Sequence, residues 1–343
     1  MKILVTGDRG YIGSVLTQML EEKSHVVVGY DIDYYQETDL YPAQRTYKQI
    51  TKDLRHISPR EIEGIDAVIH LAGLSNDPLG EINPNLTADI NFKATVKLAK
   101  MAKRAGVKRF IYSSSQSMYG ISQSHDELDE DDSEKNPLTV YAKTKWEAEL
   151  KLKKLGDSNF TIACFRPSTV FGASPRLRCD IVFNNLVASA YTTGKIEIKS
   201  DGTPWRPVVH VRDVSSAYIA GLEAPENLVA NRSFNVGIMN GNYTVRKLAE
   251  TAQKLVPGST LFFTGEHGSD ARTYKVGFKR ILTELKDYFK PEWDLLRGGR
   301  ELIELFQRVC LTEEQFRGPS CIRLVKLNQM IQSKVLDKNL TRI

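Results

Sequence analysis

Three side chains in the middle of the sequence have the types and spacing for proton transfer. Tyr141 and Lys145, in Tyr141-Ala142-Lys143-Thr144-Lys145, open a helical stretch, so at i and i+4 they share one face about a turn apart. An ammonium beside a phenol favours the phenolate and draws the tyrosine down from ~10 toward a usable acid/base. Taken alone, such a pair is better explained by packing, since it occurs by chance in many helices. Upstream, Phe110-Ile111-Tyr112 reads as a strand that runs into Ser113-Ser114-Ser115-Gln116-Ser117-Met118-Tyr119-Gly120. Open α/β sheets bind ligands at the C-terminal ends of their strands, and Ser115 is the hydroxyl there best placed to share a substrate proton. A serine-rich turn that only caps the connection is the competing account.

The partner for such a pair is announced at the N-terminus. Thr6-Gly7-Asp8-Arg9-Gly10-Tyr11-Ile12-Gly13 follows a strand pattern and opens a helix pattern, the context that separates a nucleotide loop from chance glycines. Gly7, Gly10 and Gly13 serve a tight turn, close approach to a pyrophosphate and close helix–sheet packing, with Tyr11 and Ile12 offering N–H groups at the helix start. Asp31 lies 18 residues past Gly13 at the end of the next strand, where a carboxylate accepts from both hydroxyls of an adenosine ribose. That favours NAD, while Arg9 inside the loop is the cation that leaves NADP open.

Elements that must position these groups follow from the hydrophobic rhythm. Ile3 to Thr6, His25 to Tyr30, Ala67 to Leu71, Val107 to Tyr112 and Phe160 to Phe165 read as strands separated by amphipathic helices. The fold class expected is α/β, a doubly wound parallel sheet of Rossmann type with a smaller C-terminal α/β lobe for substrate. The dinucleotide domain is expected over residues 1–172, completed by parts of 208–236, and the substrate lobe over 173–343. Asp126 to Glu134, seven acids in nine residues, reads as a solvated loop rather than a metal site. Helices are expected at Arg297 to Val309 and Arg323 to Ile331, the latter covering the substrate lobe or joining a partner.

Composition narrows the class. In 343 residues with 41% hydrophobic content no apolar run reaches the length of a membrane helix, and the start shows no export signal. Four scattered cysteines fit free thiols in the cytoplasm and no metal spacing. A formal charge of +5, spread along the chain, gives no footprint for nucleic acid.

Together these motifs resemble the extended short-chain dehydrogenase/reductase superfamily, and within it the NAD-dependent nucleotide-sugar epimerases and dehydratases. Lys52-Asp53-Leu54, His70-Leu71-Ala72-Gly73, Arg166-Pro167 and His210-Val211-Arg212-Asp213 carry the resemblance alongside the segments above. It implies that Tyr141 is the acid/base, that Lys145 holds the nicotinamide ribose, and that Ser115 completes the triad. Asp53 and Leu54 would flank the adenine, Leu71, Ala72, Gly73 and Ser113 would line the cofactor cleft, and Pro167 and Ser168 would face the nicotinamide amide. The resemblance implies a nucleotide-diphosphate sugar as substrate, with Arg206 and Arg272 on the diphosphate, and a homodimer formed through helices near Asn91 to Ala105 and Tyr141 to Leu155.

Substrate chemistry is less uniform. The family's 4,6-dehydratases carry Asp and Glu after the catalytic hydroxyl residue, whereas Gln116 and Ser117 stand here, so that reaction is disfavoured. A 4-epimerase leads, ahead of a C4 dehydrogenase or 4-ketoreductase and, in another class, a non-catalytic NAD(P)-binding protein. Thr169 replaces a substrate-binding Asn common in the family. Phe171 to Asp180, then Asn184, is similar to a subgroup that includes GDP-heptose C4-oxidising enzymes, and Arg176 and Arg178 within it either reach the ligand or remain loop cations.

Overall fold

A computed structural model describes residues 1–75, 77–81, 83–122, 126–265 and 273–343. Among the described residues twelve strands run in chain order: β1 Lys2–Thr6, β2 Val26–Asp31, β3 Lys48–Thr51, β4 Ala67–His70, β5 Arg109–Ser113, β6 Thr161–Pro167, β7 Thr169–Phe171, β8 Lys195–Ile198, β9 Trp205–His210, β10 Arg232–Val236, β11 Asn242–Thr244 and β12 Thr260–Phe263. Seven form one sheet in the order β10-β6-β5-β4-β1-β2-β3. All of its pairings are parallel. The strands of such a sheet are covered on both faces, which is why β4, β5 and β6 read as nearly unbroken apolar runs.

The chain winds outward from β1 through β2 to β3, then returns to place β4 on the other side of β1. This reversal opens a crevice beyond the carboxyl ends of β1 and β4, where doubly wound sheets bind ligands. Two smaller sheets stand apart, β11-β9-β7 and β12-β8. The returning segment expected at 208–236 divides between sheets: Val208–His210 belongs to β9, whereas β10 pairs with β6 at the edge of the large sheet.

Two expectations change on folding. The acidic segment is not simply solvated: Leu128 bridges Val276, and Glu130 is 5% exposed, its carboxylate accepting the Asn235 N–H at 2.8 Å. Asp129 accepts three backbone N–H groups of its own turn, so part of the acidity serves local geometry. The helix near the C-terminus, Arg323–Gln332, packs against the loops after β2 and β4 rather than on the small sheets, through Leu327 with Tyr34 and Leu74.

Candidate active site

The crevice is a cleft of about 780 Å³. Its floor is the glycine loop. Gly7 holds φ +78°, and a Cβ there would stand 2.8 Å from the Ala72 backbone nitrogen; at Gly13 it would meet the Gly7 carbonyl oxygen at 2.0 Å. No side chain larger than hydrogen fits either position, so the loop stays flat against the sheet with the helix Gly13–Glu22 starting from it. This cradle, with Asp31 on its bank, fits a dinucleotide. The Asp31 carboxylate accepts from the backbone N–H groups of Asp33 at 2.7 Å and Arg9 at 3.3 Å. Burial, ahead of those opposing bonds, raises its pKa.

On the far side of β1, the loop after β4 is held by Asn91, whose amide bonds both the N–H and the carbonyl of Leu74 at 2.8 and 3.0 Å. Leu71, Ala72 and Gly73 line the cleft there, as Asp53 and Leu54 do beyond Asp31. Asp53 is fixed by the Arg55 side chain and backbone N–H.

Tyr141 stands on the first turn of the helix Val140–Lys153, whose start is capped by Thr139 accepting from the Ala142 N–H at 3.2 Å. The tyrosine shares a hydrogen bond with Ser115. Lys145, one turn on, is 5% exposed and donates to the Ser113 carbonyl at 2.8 Å. Ser115, Tyr141 and Lys145 thus meet in the cleft, with Ser113, Gln116, Pro167, Ser168, Thr169, Arg178 and Arg206 around them. Gly7, Gly10, Tyr11, Ile12, Gly13 and Asp31 line the same cleft.

Its electrostatics differ from the expectation for an isolated pair. Burial comes first and raises the Tyr141 pKa; Ser115 is the chief influence lowering it, and Arg178 is the cation that helps. Lys145, aimed at a carbonyl, is itself pushed down to about 8 by burial, so it stays mostly charged at neutral pH and loses that charge above pH 8.

Three residues expected at the ligand have other placements. Arg9 turns its guanidinium to Asp33 at 2.8 Å and Gln49 at 2.8 Å, so both of its terminal nitrogens are engaged by the protein. Arg176 is 2% exposed and binds Asp33 and Asp39 outside the cleft lining. Asn184 is fully buried, bonding Tyr11, the Arg178 carbonyl and the Gly172 N–H; its neighbour Asn185 faces the cleft instead. Arg272 lies outside the described residues. Arg178, by contrast, reaches the cleft while bound to Asp180 at 2.9 and 3.0 Å and Ser75 at 3.1 Å.

Sequence reasoning missed Glu149 and the segment Ile322 to Leu324. Glu149 is the next turn of the Tyr141–Lys145 face, a spacing that could have revealed it. Its carboxylate meets Arg166 at 2.6 Å and takes the Ser114 and Ser233 hydroxyls at 2.6 and 2.7 Å. Ile322, Arg323 and Leu324 also line the cleft, and no local pattern points to them.

Comparison with known proteins accords with this geometry. The model of the family described as "NAD dependent epimerase/dehydratase family" matches residues 3–237. The chain belongs to that family. It is accordingly an NAD-dependent enzyme. Among curated family members, the UDP-glucose 4-epimerase of Bacillus subtilis is 28% identical over 284 residues, 74% of this chain and 82% of that one. A probable UDP-glucuronate 4-epimerase of Rhizobium meliloti is 24% identical over 338 residues, 90% and 97% of the two chains. Of solved structures, MoeE5 in complex with UDP-glucose and NAD is 26% identical, with a TM-score of 0.76 over 91% of this chain and 100% of that one. The UDP-glucose 4-epimerase of Thermotoga maritima, at 21% identity and TM-score 0.79 over 91% and 100%, shares the fold. Among the described residues, no helix is long and apolar enough to cross a membrane.

Proposed function

We propose that this enzyme is a nucleotide-sugar 4-epimerase that works through a transient 4-keto-sugar. The observation that carries the reading is the meeting of Ser115, Tyr141 and Lys145 in the same cleft as the glycine loop and Asp31. Tyr141 accepts the proton of the sugar hydroxyl and later returns one, with Ser115 holding that hydroxyl and the phenol in line. Bound NAD supplies a hydride acceptor at the same carbon and a donor for the way back. Lys145, close to half-protonated near pH 8, orients the cofactor ribose and takes up proton charge beside Tyr141. Arg206, whose side chain also bonds the Trp205 carbonyl at 2.9 Å, and Arg178 are the cleft arginines for the diphosphate. The relatives that act on UDP-sugars support this substrate class.

A 4,6-dehydratase reaction, in which the 4-keto-sugar loses its C5 proton and C6 hydroxyl, is disfavoured on chemistry. Gln116 donates its amide to the Arg166 carbonyl at 3.0 Å and Ser117 pairs with Ser115 at 2.8 Å, so neither supplies a carboxyl group. We place the enzyme in the cytoplasm, where Cys179 and Cys321, in hydrogen-bonding contact, remain thiols. We further propose a homodimer through the helices Thr95–Arg104 and Val140–Lys153, on which Leu150 is 42% exposed.

Incubation with UDP-, GDP-, CDP- and dTDP-hexoses, read by NMR of the sugar, is expected to show inversion at C4 for one of them. Tyr141→Phe is expected to lower that rate by about 10²- to 10⁴-fold while leaving substrate binding in place. Accumulating keto-sugar with released NADH would instead favour a dehydrogenase. No turnover of any nucleotide sugar, with Tyr141→Phe indistinguishable from the unaltered enzyme, would sink the proposal.

A further inference from the structure

The C-terminal segment reaches across the mouth of the cofactor cleft. In a doubly wound sheet the cleft opens between the loop that follows β2 and the loop that follows β4, since β1 lies between those strands. One apolar cluster joins both banks: Tyr34 from the first loop and Leu74 and Leu79 from the second pack with Leu327, Leu336 and Leu340 of the tail, all at most 7% exposed. Nothing in the sheet itself requires the two banks to be bridged.

Polar contacts fasten the same bridge to the first bank. The Tyr34 hydroxyl donates to the Leu340 carbonyl at 2.5 Å. Arg323 is 2% exposed; it donates to Thr38 at 3.2 Å and to the Arg176 carbonyl at 2.8 Å, and its guanidinium lies 4.2 Å from the centre of the Tyr35 ring. Arg342 reaches the Asp33 carbonyl at 3.4 Å. Asp33 and Tyr35 lie two and four residues after Asp31, so the tail is tied to the bank on which the adenosine ribose would rest. Ile322, Arg323 and Leu324 complete the contact by lining the cleft.

We propose that residues 322–343 form a wall of the NAD site and that the tail must release its hold on the two banks before the cofactor leaves. The inference rests on the placement of NAD in this cleft and not on the identity of the sugar. Buried leucines on both sides make the closed arrangement the favoured one, because opening returns their surface to water. A cofactor retained in this way suits an enzyme that takes a hydride from a sugar and gives it back in the same site. It is of no use to one that must exchange cofactor at every turnover.

The test uses the full-length enzyme loaded with NAD and chased with excess fluorescent etheno-NAD, in the absence of any sugar. Leu336→Asp/Leu340→Asp, and separately a chain ending at Gln332, are expected to release NAD at least ten-fold faster than the unaltered enzyme, with far-UV circular dichroism unchanged. Release within two-fold of the unaltered enzyme, in variants that keep their fold, would overturn the proposal. Should both variants unfold, hydrogen exchange of the unaltered enzyme decides: NAD is expected to deepen protection of amides across 323–340, and unchanged protection there would refute the wall. Because no sugar is present, failure here is distinct from failure to epimerise.

Discussion

Asp8 is the side chain whose ionisation bears most directly on the glycine loop. It is fully buried; one carboxylate oxygen accepts the Tyr47 hydroxyl at 3.0 Å and the other has no hydrogen-bond partner among the described residues. Gly29 makes room for it, since a Cβ there would lie 2.2 Å from the carboxylate. Burial first, and then the charge of Asp31, raise the Asp8 carboxyl from 3.8 to about 7. A folded-state pKa above the unfolded value means that the folded protein holds the proton longer. The contribution of Asp8 to stability is therefore full below about pH 4 and is lost as the pH rises toward 7. Asp8→Asn is expected to melt higher than the unaltered protein at pH 8, with the gap closing toward pH 4. NAD affinity should follow, weakening above pH 7 in the unaltered enzyme, where a second carboxylate forms beside Asp31, and less so in Asp8→Asn. A melting difference that does not vary with pH would refute the assignment, as calorimetry across pH 4–8 can decide.

At the scale of elements, the helix Val140–Lys153 does the positioning, and its buried face is unusual in being polar. Thr144, Lys145 and Glu149 lie inside with Ala142, Ala148 and Leu152. Glu149 is 0% and Arg166 2% exposed at the side chain, and their ion pair ties this helix to β6. Arg166 also donates to the Tyr119 hydroxyl and the Glu130 carbonyl, both at 3.0 Å, while Ser233 of β10 donates to Glu149. Removing one partner of a buried pair strands the other's charge, a loss of about 3–5 kcal/mol. Glu149→Gln is thus expected to lower stability on that scale by chemical denaturation. It should also reduce activity beyond any loss of folded protein, because the helix carrying Tyr141 and Lys145 loses its anchor. Equal stability in the variant would show that water reaches the pair.

The same helix shows what local sequence can reveal. The pairing of Tyr141 with Lys145 is legible because i, i+4 spacing is a property of the helix alone, and Gly7 and Gly13 are legible because a glycine pattern between strand and helix is local, although the backbone that excludes a Cβ at Gly7 is that of Ala72, after β4. Arg9, Arg176 and Asn184 were misplaced because what they bind, Asp33, Asp39 and Tyr11, is decided by tertiary packing. A guanidinium in a glycine-rich loop reads as ligand-binding until a carboxylate from elsewhere claims it. The tail was legible as a helix but not as a wall, since its leucines carry no mark of the surface they will cover.

For the whole molecule, the order of strands in the large sheet limits where the chain can be divided. A boundary near Gly172 leaves β6 as an edge, because its outer neighbour β10 arrives some sixty residues later. Phe165 of β6 would lose its stack on Phe234 at 5.4 Å and its edge contact with Tyr218 at 5.8 Å. Arg109 would lose three carbonyl acceptors, those of Gly221, Leu222 and Ala224, at the end of the helix Val211–Glu223. The bared edge would present unpaired N–H and carbonyl groups flanked by apolar side chains, the surface from which strands aggregate. Although residues 1–172 contain the glycine loop, Asp31, Ser115, Tyr141 and Lys145, a fragment of that extent is expected to show no cooperative melting and to bind NAD weakly or not at all. The intact chain is expected to unfold in one transition, shifted upward by NAD through ligand linkage. A soluble 1–172 fragment with its own sharp transition would show that the sheet does not depend on the returning strand, and calorimetry of the two proteins side by side distinguishes the outcomes.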